Sequence, residues 1–338
     1  MFKTEDLLKL NRFISSNRLK FFLIYLADML GLRHIIIRFD PVTGCNLRCG
    51  MCYFSNEEWR KEHPGKRFTG EEIERIATQF FPRALQLYIG CGMEPTIYKG
   101  YENIVALAKR YKVPYVSLVS NGQLLTKKSI EKLIEFGLDE ITLSVHGVDK
   151  KTYELLMVNA SYDRFTQVLS TLKEVKKQKD TAKPRLRLNY TVNRDNLEEL
   201  TRFYDAYGEY GISVLQVRPM IDLGTETCRD KKLHGVVTRY RQILDYLKDE
   251  SRRRNITLLY NDVDPTYAKG NIYAPAYTIG TMRYIGPELV WEEGYDWRNM
   301  DYRTYSSQSG FRRKLLGYAI GKEPIPDENT ALASSQIL

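Results

Sequence analysis

Cys45, Cys49 and Cys52 fall within eight residues, in the run Cys45-Asn46-Leu47-Arg48-Cys49-Gly50-Met51-Cys52. Thiolates at this spacing can converge on one metal centre from a single loop. Two chemistries fit them. One is zinc, with His63 or another of the four histidines as fourth ligand. The other is a [4Fe–4S] cluster with one iron left open, where a chelating substrate can bind. C-x3-C-x2-C is uncommon in zinc modules, whose ligands usually come as two separate knuckles.

Such a loop has to be held by a frame, and the surrounding pattern supplies one. Ile35–Phe39, Leu85–Ile89, Tyr115–Ser120, Glu140–Val145, Leu186–Val192 and Val214–Val217 read as six strands. Helical stretches lie between them near Thr69–Phe81, Glu102–Arg110, Lys127–Phe136, Asp163–Lys177 and Asn196–Tyr210, and Thr69 with Glu72 forms a capping-box signature for the first. Strands spaced by helices make βαβ units and a parallel sheet or barrel. Six units fall short of a closed eight-fold barrel. The expected fold is therefore α/β: a partial (β/α)6 parallel barrel over residues 35–225. A helical segment at 1–34 precedes it and an extension at 226–338 follows, with a helix near Val236–Arg254 and a strand at Thr257–Tyr260.

The cysteine run sits just after the first of these strands, and further motifs sit at later strand ends. Gly90-Cys91-Gly92-Met93-Glu94-Pro95 follows strand two, Ser120-Asn121-Gly122 ends strand three, and Leu143-Ser144-Val145-His146-Gly147 ends strand four. Asn189-Tyr190-Thr191-Val192, with Asn193 and Asn196, marks strand five. In order and in kind, these resemble the motifs of the radical S-adenosylmethionine (SAM) superfamily. The carboxyl ends of strands are also where α/β folds build sites.

That resemblance implies an oxygen-sensitive enzyme with one [4Fe–4S] cluster and SAM as cofactors. SAM chelates the open iron, and one electron from the cluster cleaves it to a 5′-deoxyadenosyl radical that abstracts hydrogen from the substrate. By the same resemblance, Cys45, Cys49 and Cys52 are the iron ligands. Met51, Gly92, Met93, Glu94, Ser120, Asn121, Ser144, Asn189 and Met220 line the SAM site. An electron donor such as flavodoxin or ferredoxin is implied as partner. The chain departs from the pattern at Met93, in a usual glycine position, at Met51, in a usual aromatic one, and at His146, where aspartate is usual.

Alternation along the strands adds candidates for the substrate. If Ser144 faces inward, so do Thr142 and His146; if Asn189 does, so do Arg187 and Arg185; Gln216 and Arg218 share a face. Arg187 and Arg218 in a lumen would favour a carboxylate or phosphate through charge-assisted fork contacts. The alternative turns them outward onto helix carboxylates. Arg187, Arg218, His146 and Cys228 are thus the catalytic candidates, Cys228 as a hydrogen-atom donor, although Cys91 and Cys228 read first as packing residues.

Composition narrows the field. With 338 residues, 43% hydrophobic and 28% charged, a sizeable core is expected and disorder is not. Five cysteines are too few for a disulfide scaffold. The chain has no membrane-length apolar run and no signal peptide, so a cytoplasmic monomer is expected. The net charge of +9 comes without a nucleic-acid motif, and nucleic acid is not expected as a partner. The basic, apolar-clustered N-terminus reads as a helix packed on the domain in preference to peripheral membrane contact. No cysteine follows Cys228, which excludes auxiliary clusters from the extension. Its stretch Phe311-Arg312-Arg313-Lys314-Leu315-Leu316-Gly317 faintly resembles a degenerate SPASM or Twitch module, and the extension is expected to shape the substrate pocket. A polar, anionic small molecule is the expected substrate. A peptide is the runner-up, and a zinc-stabilised binding protein is the non-enzyme alternative.

Overall fold

The computed structural model describes residues 13–220, 233, 235–261, 276–308 and 310–325. At its centre is a parallel sheet of eight strands: β1 (Ile35–Phe39), β2 (Ala84–Ile89), β3 (Tyr115–Ser120), β4 (Glu140–Val145), β5 (Arg185–Val192), β6 (Val214–Pro219), β7 (Thr257–Tyr260) and β8 (Met282–Ile285). The order is β7-β6-β5-β4-β3-β2-β1-β8. From β1 to β7 each strand adds beside the one before it. That is how a (β/α) barrel winds, whereas a doubly wound sheet reverses direction at its middle. β7 and β8 form the two edges.

Alternation sorts the strands into two faces. Ile141, Leu143 and Val145 of β4, with Leu186, Leu188 and Tyr190 of β5, enter the main apolar core under the helices. Glu140, Thr142 and Ser144 therefore turn to the opposite, inner face, as do Arg187 and Asn189. Ladder register then sets Ser144, Asn189 and Gln216 side by side across β4, β5 and β6. The outer layer forms for ordinary reasons. In the helix Gly70–Phe80, Ile73, Ile76, Ala77 and Phe80 recur at helical spacing and are buried. Thr69 and Glu72 close the expected capping box, through Glu72 N–H to Thr69 Oγ1 at 3.2 Å and Thr69 N–H to Glu72 Oε2 at 2.9 Å.

One sequence expectation needs correction. The single helix expected over Asn196–Tyr210 is instead a 3-10 turn at Glu198–Arg202, a helix at Phe203–Tyr207 and a second 3-10 turn at Gly208–Tyr210. The Asn193 and Asn196 side chains bind nearby backbone and compete with helical pairing there. The six expected barrel strands are all present, and the sheet continues at both edges. β7 stands where a strand was expected, and β8 adds another, from the extension, against the free side of β1.

The extension packs mostly outside the barrel. Phe80 collects Trp291, Tyr295 and Tyr302 at centroid distances of 5.5, 6.3 and 5.5 Å. The tyrosine-rich tail thus builds a small aromatic core. The first helix, Asn17–Met29, packs against the last, Phe311–Ile320. Its buried Asp28 accepts from Tyr302 Oη (2.9 Å), Ser306 Oγ (2.9 Å) and Arg312 Nε (2.6 Å). Next to it, Arg33 donates to the backbone carbonyls of Phe81, Ala84 and Tyr111.

Candidate functional site

The cysteine loop leaves the end of β1 and is laced to the ends of β2 and β3. Asn121 Nδ2 donates to Asn46 Oδ1 at 2.9 Å and lies 3.8 Å from Cys45 Sγ. Leu47 N–H points at Cys45 Sγ at 3.4 Å. Tyr53 Oη donates to the Gly92 carbonyl at 2.9 Å. Met51 packs with Leu156 and Met220 in a small apolar cluster of its own. Sequence order says nothing of that contact, since Met220 is at the end of β6. Tyr53 and Phe54 lie with ring centroids 5.1 Å apart, with Trp59 tilted against Tyr53 and edge-on to Phe54.

Cys45, Cys49 and Cys52 stand on one loop, none of them in a disulfide. Burial pushes Cys45 up to about 11 and Cys49 further, so iron would have to displace protons to bind them. Among the described residues, no three His, Cys, Asp or Glu side chains gather tightly enough to hold a single metal ion. One loop thus offers three thiols, a donor set that suits an iron–sulfur cluster with one iron left open. His63, the zinc candidate, stacks on Trp59 at 4.2 Å with Nδ1 on the Trp59 carbonyl at 2.8 Å.

Glu94, fully enclosed, acts as a knot between strand ends. Its Oε1 accepts from Thr96 N–H, Thr96 Oγ1 and Ser120 Oγ, and its Oε2 accepts from Asn121 N–H at 2.7 Å. Sequence reading missed Asp40, the residue after β1. Its carboxylate accepts from Cys91 N–H (2.8 Å) and Gly92 N–H (3.1 Å), with Met93 N–H and the Tyr284 hydroxyl close enough to favour its charge. Two successive backbone donors of the Cys91–Met93 loop therefore converge on one carboxylate, and Tyr284 of β8 stands beside it. The turn into that loop needs Gly90: at φ +85°, a Cβ there would lie 2.3 Å from the Val119 carbonyl.

The inner-face candidates divide. Ser144 and Asn189 sit together in register, and Asn189 Oδ1 is buried with no partner. His146 is buried, accepts from Thr191 N–H through Nδ1 at 3.2 Å, and is held by burial at about 4. It is a neutral imidazole tying β4 to β5, with Asn196 Nδ2 on its own carbonyl at 2.9 Å. Arg187 does face inward as alternation requires. Its guanidinium is nevertheless committed: Nη2 lies 2.8 Å from Glu140 Oε1 and Nη1 3.2 Å from Gln216 Oε1. Its partner is a strand carboxylate, and neither a helix carboxylate nor an incoming anion. Arg218 is exposed on the inner face at the carboxyl end of β6. Arg38 of β1, which the sequence reading passed over, is half-buried and forms no ion pair among the described residues. Burial pushes the Cys91 thiol up to about 12 and Asp40 adds to that, while Arg38 and Arg218 both act against it, so the two guanidiniums share the Cys91 end of the lumen. Cys228 lies outside the described residues.

Comparison with known proteins agrees with this geometry. The family model of the radical SAM superfamily matches residues 40–206. A probable GTP 3′,8-cyclase of Thermoplasma volcanium is 25% identical over 242 residues, 70% of this chain and 68% of that protein. Another, from Saccharolobus islandicus, is 26% identical over 234 residues, 68% of this chain and 70% of that protein. In structure the chain resembles Streptococcus suis SuiB bound to S-adenosylmethionine, with a TM-score of 0.63 and 19% identity, over 86% of this chain and 69% of that one. At that identity the likeness is one of fold.

Proposed function

Because the chain belongs to the radical SAM superfamily and is an enzyme that uses a [4Fe–4S] cluster and SAM, we propose that it abstracts hydrogen from a polar, anionic small molecule bound in the barrel lumen. When bound, cluster and SAM together supply an electron and a 5′-deoxyadenosyl radical. Cys45, Cys49 and Cys52 would hold the iron. Asp40 and Glu94 would fix the Gly92–Glu94 loop against the amino acid part of SAM. Ser144 and the unpartnered Asn189 Oδ1 would meet its ribose, and Met51 and Met220 would pack beside it.

One observation carries the substrate reading: Arg38, half-buried at the carboxyl end of β1 on the inner face, forms no ion pair among the described residues, whereas Arg185 and Arg187 of that face are paired with Glu140. A guanidinium in such a place suits phosphate or carboxylate. Two relatives are named for a nucleoside triphosphate reaction, which puts nucleotides first among the compounds to try. The electron would come from a small donor such as flavodoxin or ferredoxin, and the setting would be a cytoplasmic monomer.

The test is 5′-deoxyadenosine release by anaerobically reconstituted, reduced protein given SAM with nucleotides, sugar phosphates or peptides. Acceleration by phosphorylated small molecules supports the proposal. Acceleration by peptides alone overturns the substrate class. Full iron loading without any SAM cleavage overturns the assignment of the loop.

A further inference from the structure

The first helix buries one face and leaves another bare. Phe21 and Asp28 are enclosed. Phe21 lies 4.9 Å from the Tyr318 ring, and Ile24 packs at Gly280. On the far side Leu19, Phe22, Leu23, Met29 and Leu30 are 40–64% exposed, with Leu32 at 55% just beyond the helix. At about 100° per residue, these helical positions form one stripe roughly 120° wide. Helix–core packing alone would have favoured polar residues there.

Charge says what would cover this stripe. Between residues 13 and 34 the only acidic side chain is Asp28, which is buried under Tyr302, Ser306 and Arg312. Arg33 is also taken, by three backbone carbonyls. The charges left are Arg18 and Lys20, and they sit about 100° to either side of Leu19, flanking the apolar stripe. The helix Phe311–Ile320 beside it contains no acid and exposes Arg313, Lys314 and Ile320. An apolar stripe with cations along both borders matches the headgroup region of an anionic bilayer, where stems snorkel and heads meet phosphate. A protein partner would more often bring its own polar rim. No described helix is long and apolar enough to cross a membrane, so the geometry is that of a helix lying in the surface.

We infer that the face formed by Leu19, Phe22, Leu23, Met29 and Leu30 docks this enzyme onto an anionic lipid surface, with Arg18 and Lys20 at its borders. The proposal is independent of the substrate and goes beyond it.

The experiment is flotation of the full-length, cluster-loaded protein with vesicles of phosphatidylcholine alone or mixed with phosphatidylglycerol. The expected result is flotation with the mixed vesicles, weakened by salt, and little with the neutral ones. The double variant Phe22→Ser with Leu23→Ser should lower partitioning at least about tenfold, and Lys20→Gln about fivefold. Phe22 and Leu23 are exposed and Lys20 is half-buried with no side-chain partner among the described residues to lose, so iron content and thermal melting should stay as in the parent; both are measured alongside. Three outcomes overturn the proposal: no flotation, equal flotation on neutral vesicles, or a dimer in size-exclusion that the double variant splits, which would make a second copy the occupant.

Discussion

The two ends of the barrel use the same side-chain types for opposite purposes. At the amino end, Glu140 is ringed by Arg187 at 2.8 Å, Arg185 at 3.7 Å and the Tyr115 hydroxyl. These charges are held as ion pairs, although both Glu140 oxygens, Arg187 Nη2 and the Tyr115 hydroxyl are buried without a hydrogen-bond partner. At the carboxyl end, Asp40 and Glu94 are also enclosed, but their partners are backbone N–H groups of the loops that carry the family's motifs. Around them stand Arg38 without an ion pair and Asn189 Oδ1 without a donor. A buried charge pair costs desolvation that is recovered only when geometry is complete. The floor, its opposite charges paired, therefore reads as structure, and the rim, where Arg38 has no ion pair, as a place for ligands.

The largest effect should come from the rim. Cys45→Ala, Cys49→Ala or Cys52→Ala should each abolish iron loading and SAM cleavage, whereas Cys91→Ala should leave iron content unchanged. Iron analysis and absorption near ~400 nm decide this. If Cys91→Ala also empties the protein, the loop is not the whole ligand set.

Breaking the floor should cost stability without touching chemistry. Arg187→Met leaves buried Glu140 with only Arg185 at 3.7 Å, a loss of up to about 3 kcal/mol. Denaturant midpoints should fall accordingly, while SAM affinity of the surviving folded protein holds. A variant as stable as the parent would place Arg187 among the ligand-binding residues after all.

His146 links the two ends to pH. Its folded value of about 4 is below that of an unfolded histidine. The folded protein therefore binds fewer protons between roughly pH 6.5 and 4, and stability declines as pH falls through that window. The contribution is on the order of 3 kcal/mol. His146→Gln should flatten part of the slope in urea titrations at pH 7 and pH 5; an unchanged slope would contradict the buried neutral imidazole.

Smaller effects test the ligand side of the comparison. Arg38→Gln should weaken substrate binding about ten- to hundredfold, since a charge-assisted hydrogen bond contributes about 1.5–3 kcal/mol. Arg218→Gln should do less, because its exposed head is screened. SAM affinity, titrated separately, shows whether either arginine serves the cofactor instead. Smallest of all, Tyr284→Phe removes one donor from Asp40 and should loosen SAM binding only a few-fold. If SAM affinity does not move, the brace from β8 has no bearing on the site.

The strands from β1 to β7 were legible because each is a short apolar run bounded by turn residues, and alternation alone gave the inner position of Arg187. β8 was not. It has four residues, one of them Arg283 on the helix-facing side under Trp291 and Phe311, so neither periodicity nor apolarity marks it. The cysteine run was legible by spacing. Asp40 was not, since its role comes from two N–H groups fifty residues away that only the pairing of β1 with β2 brings near. Arg187 shows the same limit: alternation assigns a side, but a partner on the neighbouring strand depends on register.

The pairing of β8 with β1 has a consequence in time. Chains are made from the amino end, yet the first strand has its second neighbour only once residues 282–285 exist. Until then β1, which carries the cysteine loop at its tip, is an open sheet edge with Asp40 lacking its tyrosine donor. A nascent chain stopped before that point would expose a sticky edge next to three thiols. Folding of the earliest strand is thus gated by the arrival of one of the last.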